Sequence, residues 1–157
     1  MSTTHKKNLA AKDVMTRDPV CAEPGMSIRN LARLFDEYEV SGAPVIDSGG
    51  RLVGVVSKSD LLRRASDPEF AVEPTYIFEA LRGEEGEEED DRDLAQPTAS
   101  VEDFMTEDPV TGVPDEPVHA LARKMTDAHI HRVIIINADR KPVGIVTSLD
   151  LLKALAE

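Results

Sequence analysis

Tryptophan is absent, and with two Tyr and four Phe the aromatics make up only 4% of the 157 residues. A core built from this chain must therefore be mainly aliphatic. One cysteine, Cys21, excludes an intramolecular disulfide. With no base near it in sequence it is a poor nucleophile and reads as a small buried or half-buried side chain. No apolar run approaches the roughly 18 residues needed to cross a bilayer. The opening Met1-Ser2-Thr3-Thr4-His5-Lys6-Lys7 lacks the apolar stretch of a secretory signal. The chain thus reads as soluble and cytoplasmic. Positive charge is scarce, with 18 Lys and Arg against 30 Asp and Glu. That balance argues against nucleic acid and anionic membrane as partners, since both reward cationic surfaces. Also missing are a Gly-rich phosphate loop and a nucleophile–base pair. The four histidines, His5, His119, His129 and His131, lack the spacing of a metal cage. His129 and His131 could pair on a strand, but no third ligand is evident. Nothing here reads as catalytic.

What is present is a repeat. Asp13-Val14-Met15-Thr16-Arg17-Asp18-Pro19-Val20 returns ninety positions later as Asp103-Phe104-Met105-Thr106-Glu107-Asp108-Pro109-Val110. Val53-Gly54-Val55-Val56-Ser57 returns as Val143-Gly144-Ile145-Val146-Thr147, and Asp60-Leu61-Leu62 as Asp150-Leu151-Leu152. No gap is needed between residues 13 and 62. Such self-similarity means two copies of one supersecondary unit. Copies of about fifty residues bury too little surface to be stable alone, so they are expected to share a core.

Ser27 is a helix N-cap, and Ile28, Leu31, Ala32, Leu34 and Phe35 follow at helical spacing to about Tyr38. Ala43–Ile46 and Leu52–Val56 read as a hairpin around Ser48-Gly49-Gly50, with burial on both faces. Ser57-Lys58-Ser59-Asp60 opens a helix. In the second copy, Pro117 at N1 opens a helix with Val118, Leu121, Ala122 and Met125 inward. Strands at 133–136 and 143–146 and a helix from Ser148 to about Ala156 follow. The expected fold is α/β with α+β character. Two β-α-β-β-α motifs, at 13–65 and 101–157, pack through their sheets about a pseudo-two-fold axis. Residues 1–12 are a polar lead-in, and 66–100 link the motifs. In the linker, 74–81 reads as a short helix, and 84–93 holds eight acids and one base, net −7 of the chain's −12. Residues 83–97, acidic and Gly-containing, have too little apolar content to order themselves, which predicts a mobile loop there.

The order of elements, with Val40-Ser41-Gly42-Ala43-Pro44-Val45-Ile46-Asp47 and Gly54-Val55-Val56-Ser57-Lys58-Ser59-Asp60 and their partners Ile130-His131-Arg132-Val133-Ile134-Ile135-Ile136-Asn137 and Gly144-Ile145-Val146-Thr147-Ser148-Leu149-Asp150, resembles a tandem pair of CBS domains, a Bateman module. The resemblance covers about residues 8–65 and 98–157. It implies a stand-alone regulatory module, not an enzyme. Such modules bind AMP, ADP, ATP, S-adenosylmethionine or cyclic dinucleotides in the cleft between motifs, without an obligatory cofactor. They report energy or metabolite status to a partner protein. The resemblance also implies a homodimer, a disc of four motifs.

By the same resemblance Asp60 and Asp150 accept hydrogen bonds from a ribose diol, and Ser57 and Thr147 face ribose or phosphate near a helix N-terminus. The residues alone leave a rival open: Ser/Thr-x-x-Asp is also close to a capping box. His131-Arg132 points at phosphate in such modules, Arg offering a bidentate fork. The first copy has Ser41-Gly42 there instead, and Lys58 stands in as a candidate cation or as a solvated helix residue. Val20, Val40 and Ala43, with Val110, Ile130 and Val133, are candidate adenine walls, or core. The resemblance mixes the aspartate of one motif with the wall of the other. The Asp150 site is expected to prefer phosphorylated adenosine, because its copy carries the cations. A different class of function stays open: a dimerisation or interaction scaffold that needs no nucleotide.

Overall fold

The computed structural model describes residues 8–65 and 99–156. The expected short helix at 74–81 and the expected mobile loop at 83–97 lie outside them. The first copy runs α1 (Ala11–Val14), β1 (Thr16–Arg17), α2 (Ile28–Tyr38), β2 (Gly42–Ile46), β3 (Leu52–Ser57) and α3 (Lys58–Ala65). The second runs α4 (Val101–Phe104), β4 (Thr106–Glu107), β5 (Thr111–Gly112), α5 (Val118–Ala128), β6 (Arg132–Ile136), β7 (Pro142–Thr147) and α6 (Ser148–Ala156).

Local chemistry sets most of these boundaries. The Asn30 N–H donates to Ser27 Oγ at 3.0 Å, so Ser27 caps α2 as expected. Both long helices end on a left-handed residue, Glu39 at φ 54° and His129 at φ 57°. The chain then turns back, with the Val40 N–H donating to Phe35 O and the Ile130 N–H to Met125 O, each at 3.0 Å. Between β6 and β7 the Asn137 side-chain oxygen accepts from the N–H groups of Asp139 and Lys141 at 2.9 and 3.0 Å. The matching turn of the first copy uses Gly50 at φ 85°, where Arg140 of the second stands at φ 63°. Glycine adopts that conformation without steric cost. Pro117 differs from expectation. It is the N-cap of α5, with extended ψ of 146°, and its carbonyl receives the N–H groups of Ala120 and Leu121. Leu121 and Met125 are buried inward residues of that helix, while Val118 and Ala122 are half-buried.

The chain forms two compact units that do not follow chain order. One takes residues 8–19, 49–52 and 108–156; the other takes 20–48, 53–65 and 99–107. In the first, β1 pairs antiparallel with β7, Thr16 opposite Ile145 and Arg17 opposite Gly144, giving sheet order β1-β7-β6-β5. In the second, β4 pairs with β3, Val55 opposite Thr106 and Gly54 opposite Glu107, giving β2-β3-β4. The two registers are images of one another under the ninety-residue offset. The leading segment of each copy therefore completes the unit that holds the other copy's hairpin.

The cores record the same exchange. Ala11 is buried with Leu121, Met125, Val133, Ile135 and Val146. Val101 and Phe104 are buried with Ile28, Leu31, Phe35, Val45, Val56 and Leu61. Among the described residues aliphatic side chains dominate the core, as the composition predicts, but Phe35 and Phe104 are the bulkiest wholly buried ones, and both serve one unit.

Candidate functional site

Each unit has one junction where a buried strand runs directly into a helix: β3 into α3, and β7 into α6. The junctions are tied to the loop before the neighbouring strand. The Lys58 N–H donates to Ser41 O at 3.0 Å, and the Ser148 N–H to His131 O at 2.9 Å. One unit thus brings Ser57, Lys58 and Asp60 beside Val40, Ser41 and Gly42. The other brings Thr147 and Asp150 beside Ile130, His131 and Arg132. Val20 falls in the Asp60 unit and Val110 in the Asp150 unit.

The aspartates sit alike. Asp60 Oδ2 accepts the Ser57 N–H at 2.8 Å and the Ser57 hydroxyl at 3.1 Å, while the Asp60 N–H donates to Ser57 Oγ at 3.2 Å. Asp150 Oδ2 accepts the Thr147 N–H at 2.8 Å, and its own N–H donates to Thr147 Oγ1 at 3.2 Å. These are the reciprocal bonds of a capping box, so the structural role left open by the residues alone is realised. It does not exhaust the carboxylates, since each oxygen has two lone pairs.

The junctions differ in charge. Among the described residues Asp60 is the buried charged side chain, and its Oδ1 accepts from Arg63 Nη2 at 2.7 Å, one helical turn on. The Arg63 side chain is 70% exposed, so this pair contributes little to stability. Asp150 is half-buried and, among the described residues, has no ion pair; Lys153 replaces Arg63 in its copy. Arg63 was not singled out from the sequence, although Asp-x-x-Arg on a helix is itself a pairing signal.

Val20, Val40, Val110 and Ile130 are half-buried. Ala43 and Val133 are wholly buried, which is the core-packing alternative for those two positions, and Gly42 is buried with them. Beside the Asp60 junction lies a surface depression of about 340 Å³, floored by Phe35 and Val40 and edged by Asp36, Glu39, Ser41 and Lys58. Asp36 and Glu39 carried no sequence motif. Among the described residues, no group of three His, Cys, Asp or Glu is placed to hold a metal ion, and no helix is long and apolar enough to cross a membrane.

The family model described as CBS domain matches residues 11–67 and 101–157. Among curated proteins, the chain is 30% identical over 154 residues to the protein MJ1426 of Methanocaldococcus jannaschii, covering 92% of this chain and 89% of that one. It is 27% identical over 140 residues to the L-aspartate semialdehyde sulfurtransferase of the same organism, covering 89% of this chain. It spans less than a quarter of the length of the first curated relatives, 22% of the sulfurtransferase and 24% of a homoserine O-acetyltransferase from Methanohalobium evestigatum. Among solved structures, the CBS domain pair of protein MJ0100, in complex with 5′-methylthioadenosine and S-adenosyl-L-methionine, superposes with a TM-score of 0.70 at 26% identity, covering 94% of this chain and 96% of that one. CBSX2 in complex with AMP, a protein described in Arabidopsis thaliana, gives 0.69 at 26% identity, with the same coverage of 94% and 96%. With both copies matched and the mixed α/β fold shared, the chain belongs to the CBS domain family, as a tandem pair.

Proposed function

We propose that this protein is a non-catalytic regulatory module whose two strand-to-helix junctions bind adenosine-containing ligands, AMP, ADP or ATP among them, and pass their occupancy to a partner. The observation that carries this reading is the repeated junction. Two aspartates are held in the same reciprocal geometry, each beside a hydroxyl and a helix N-terminus. The similarity to CBS pairs solved with AMP and with S-adenosylmethionine supports the ligand class. Asp60 and Asp150 take the ribose diol through lone pairs that the cap leaves over. Ser57 and Thr147 orient them. Val20, Val40, Val110 and Ile130 provide apolar contact, His131 and Arg132 meet phosphate, and Lys58 is the cation beside the Asp60 junction. The helix N-termini add favourable potential for an anion. In this reading the protein works in the cytoplasm and needs no cofactor. Calorimetric titration with AMP, ADP, ATP, S-adenosylmethionine and cyclic di-AMP tests it; absence of heat with every one of them defeats it.

A specific observation favours a second role. On α6, Leu149, Leu152 and Leu155 are 57%, 60% and 64% exposed. Their spacing of three keeps them on one face of the helix. A second copy of the chain covering this stripe gives a homodimer, and the protein then serves as an assembly scaffold. Sedimentation of Leu152→Glu tests this, with a monomer expected. If assembly is the whole function, Asp60→Ala and Asp150→Ala leave partner binding unchanged.

A further inference from the structure

We infer that the Asp60 junction selects an adenosine ligand bearing a zwitterionic α-amino acid tail, and that Asp36, Glu39 and Lys58 read that tail. The inference rests on the adenosine reading above and adds the chemistry beyond the ribose. The depression of about 340 Å³ beside this junction carries two carboxylates and one ammonium over an apolar floor. Among the described residues none of the three charged groups is engaged in an ion pair. A phosphate placed there faces Asp36 and Glu39 with only Lys58 in compensation. An amino acid tail meets opposite charges at both ends: its ammonium at the carboxylates and its carboxylate at Lys58.

The second copy is the internal control. By the ninety-residue offset, Asp36 becomes Thr126, Glu39 becomes His129, Ser41 becomes His131 and Lys58 becomes Ser148. Both acids are gone, and Arg132 stands where the first copy has Gly42. Polarity at one end of an otherwise repeated site has therefore changed from acidic and mixed to cationic. Specificity of this kind arises as much from repelling the wrong ligand as from attracting the right one.

The test is calorimetry on the whole chain in an Asp150→Asn background, which leaves one intact junction and keeps an oxygen to accept the Thr147 N–H. The probes are 5′-methylthioadenosine, S-adenosylhomocysteine and AMP. S-adenosylhomocysteine adds the amino acid tail to a thioether of adenosine without a sulfonium charge, so it isolates the tail. It is expected to bind about tenfold more tightly than 5′-methylthioadenosine, the worth of one charge-assisted contact, and more tightly than AMP. Asp36→Asn/Glu39→Gln and Lys58→Ala should each abolish that preference and leave 5′-methylthioadenosine binding as it was. Circular dichroism checks that these substitutions, at exposed Asp36 and Glu39 and half-buried Lys58, keep the fold. Equal binding of S-adenosylhomocysteine and 5′-methylthioadenosine, or tighter binding of AMP, overturns the tail reading alone. No binding of any of the three, to this background or to the unaltered chain, defeats the adenosine reading, and this one with it.

Discussion

Met105 lays its thioether across Gly54. A Cβ built on that glycine would come within 2.7 Å of the Met105 sulfur and 2.9 Å of the Thr106 carbonyl oxygen. Met15 covers Gly144 in the same way in the other unit. The glycine in each copy's Val-Gly-Val/Ile word is thus a seat for the leading segment of the opposite copy.

Gly54→Ala should therefore cost about 1–3 kcal/mol, the range for overpacking a close-packed site. The sulfur can swing away, but the Thr106 carbonyl is backbone and cannot. Met105→Ala in the same chain should recover part of the loss and not all of it. Urea unfolding of the two single variants and the double variant measures this; simple additivity would mean that the two residues are not in contact.

Asp60→Ala and Asp150→Ala each remove a capping acceptor as well as the proposed ribose acceptor. Each should lower stability by about 0.5–2 kcal/mol. Asp60→Asn and Asp150→Asn should restore most of that stability while still weakening adenosine binding. Thermal unfolding and calorimetry on the same four proteins separate the structural role from the ligand role.

Arg132→Ala should weaken AMP binding by an order of magnitude or more, while adenosine binding changes little. A charge-assisted contact contributes roughly 1.5–3 kcal/mol, and about 1.4 kcal/mol is tenfold in affinity. The Asp150→Asn variant should lose AMP more severely than Asp60→Asn, because His131 and Arg132 sit in the Asp150 unit. Unchanged AMP affinity in Arg132→Ala would remove Arg132 from phosphate binding.

Burial pushes the Cys21 thiol above its usual range. The folded protein therefore holds this proton more tightly than the unfolded chain does. Its contribution to stability is full below the ordinary thiol pKa of about 8.5 and is lost as pH rises through the raised folded value. Cys21→Ser should narrow the fall in urea midpoint between neutral and alkaline pH. Iodoacetamide should label Cys21 more slowly than glutathione at pH 8, since the thiolate is the reactive form.

The exchange between copies was not legible in the sequence, and the reason lies in the repeat itself. Met15 and Met105 are the same residue, as are Gly54 and Gly144. An arrangement in which each leading segment docks on its own hairpin carries the same pattern as the one observed. A four-residue helix and a two-residue strand hold too little local information to break the tie. For the same reason the candidate site was legible only in part. The aspartates, hydroxyls and His131-Arg132 announce themselves as motifs. Asp36 and Glu39 belong to the site only because α2 ends in a left-handed turn that returns the chain to Ser41, beside Lys58.

By itself the sequence determined the repeat, the helical and extended periods, the Ser27 cap, the mainly aliphatic core and the Ser/Thr-x-x-Asp junctions. Each of these is written in residues a few positions apart, where backbone geometry and side-chain reach decide. Only the tertiary structure decided which leading segment completes which sheet, that Arg63 takes one oxygen of Asp60 while Asp150 has no such partner among the described residues, and that opposite charges gather around a single depression. Those choices join residues far apart in the chain, and they follow from burial and close packing, which no local pattern encodes.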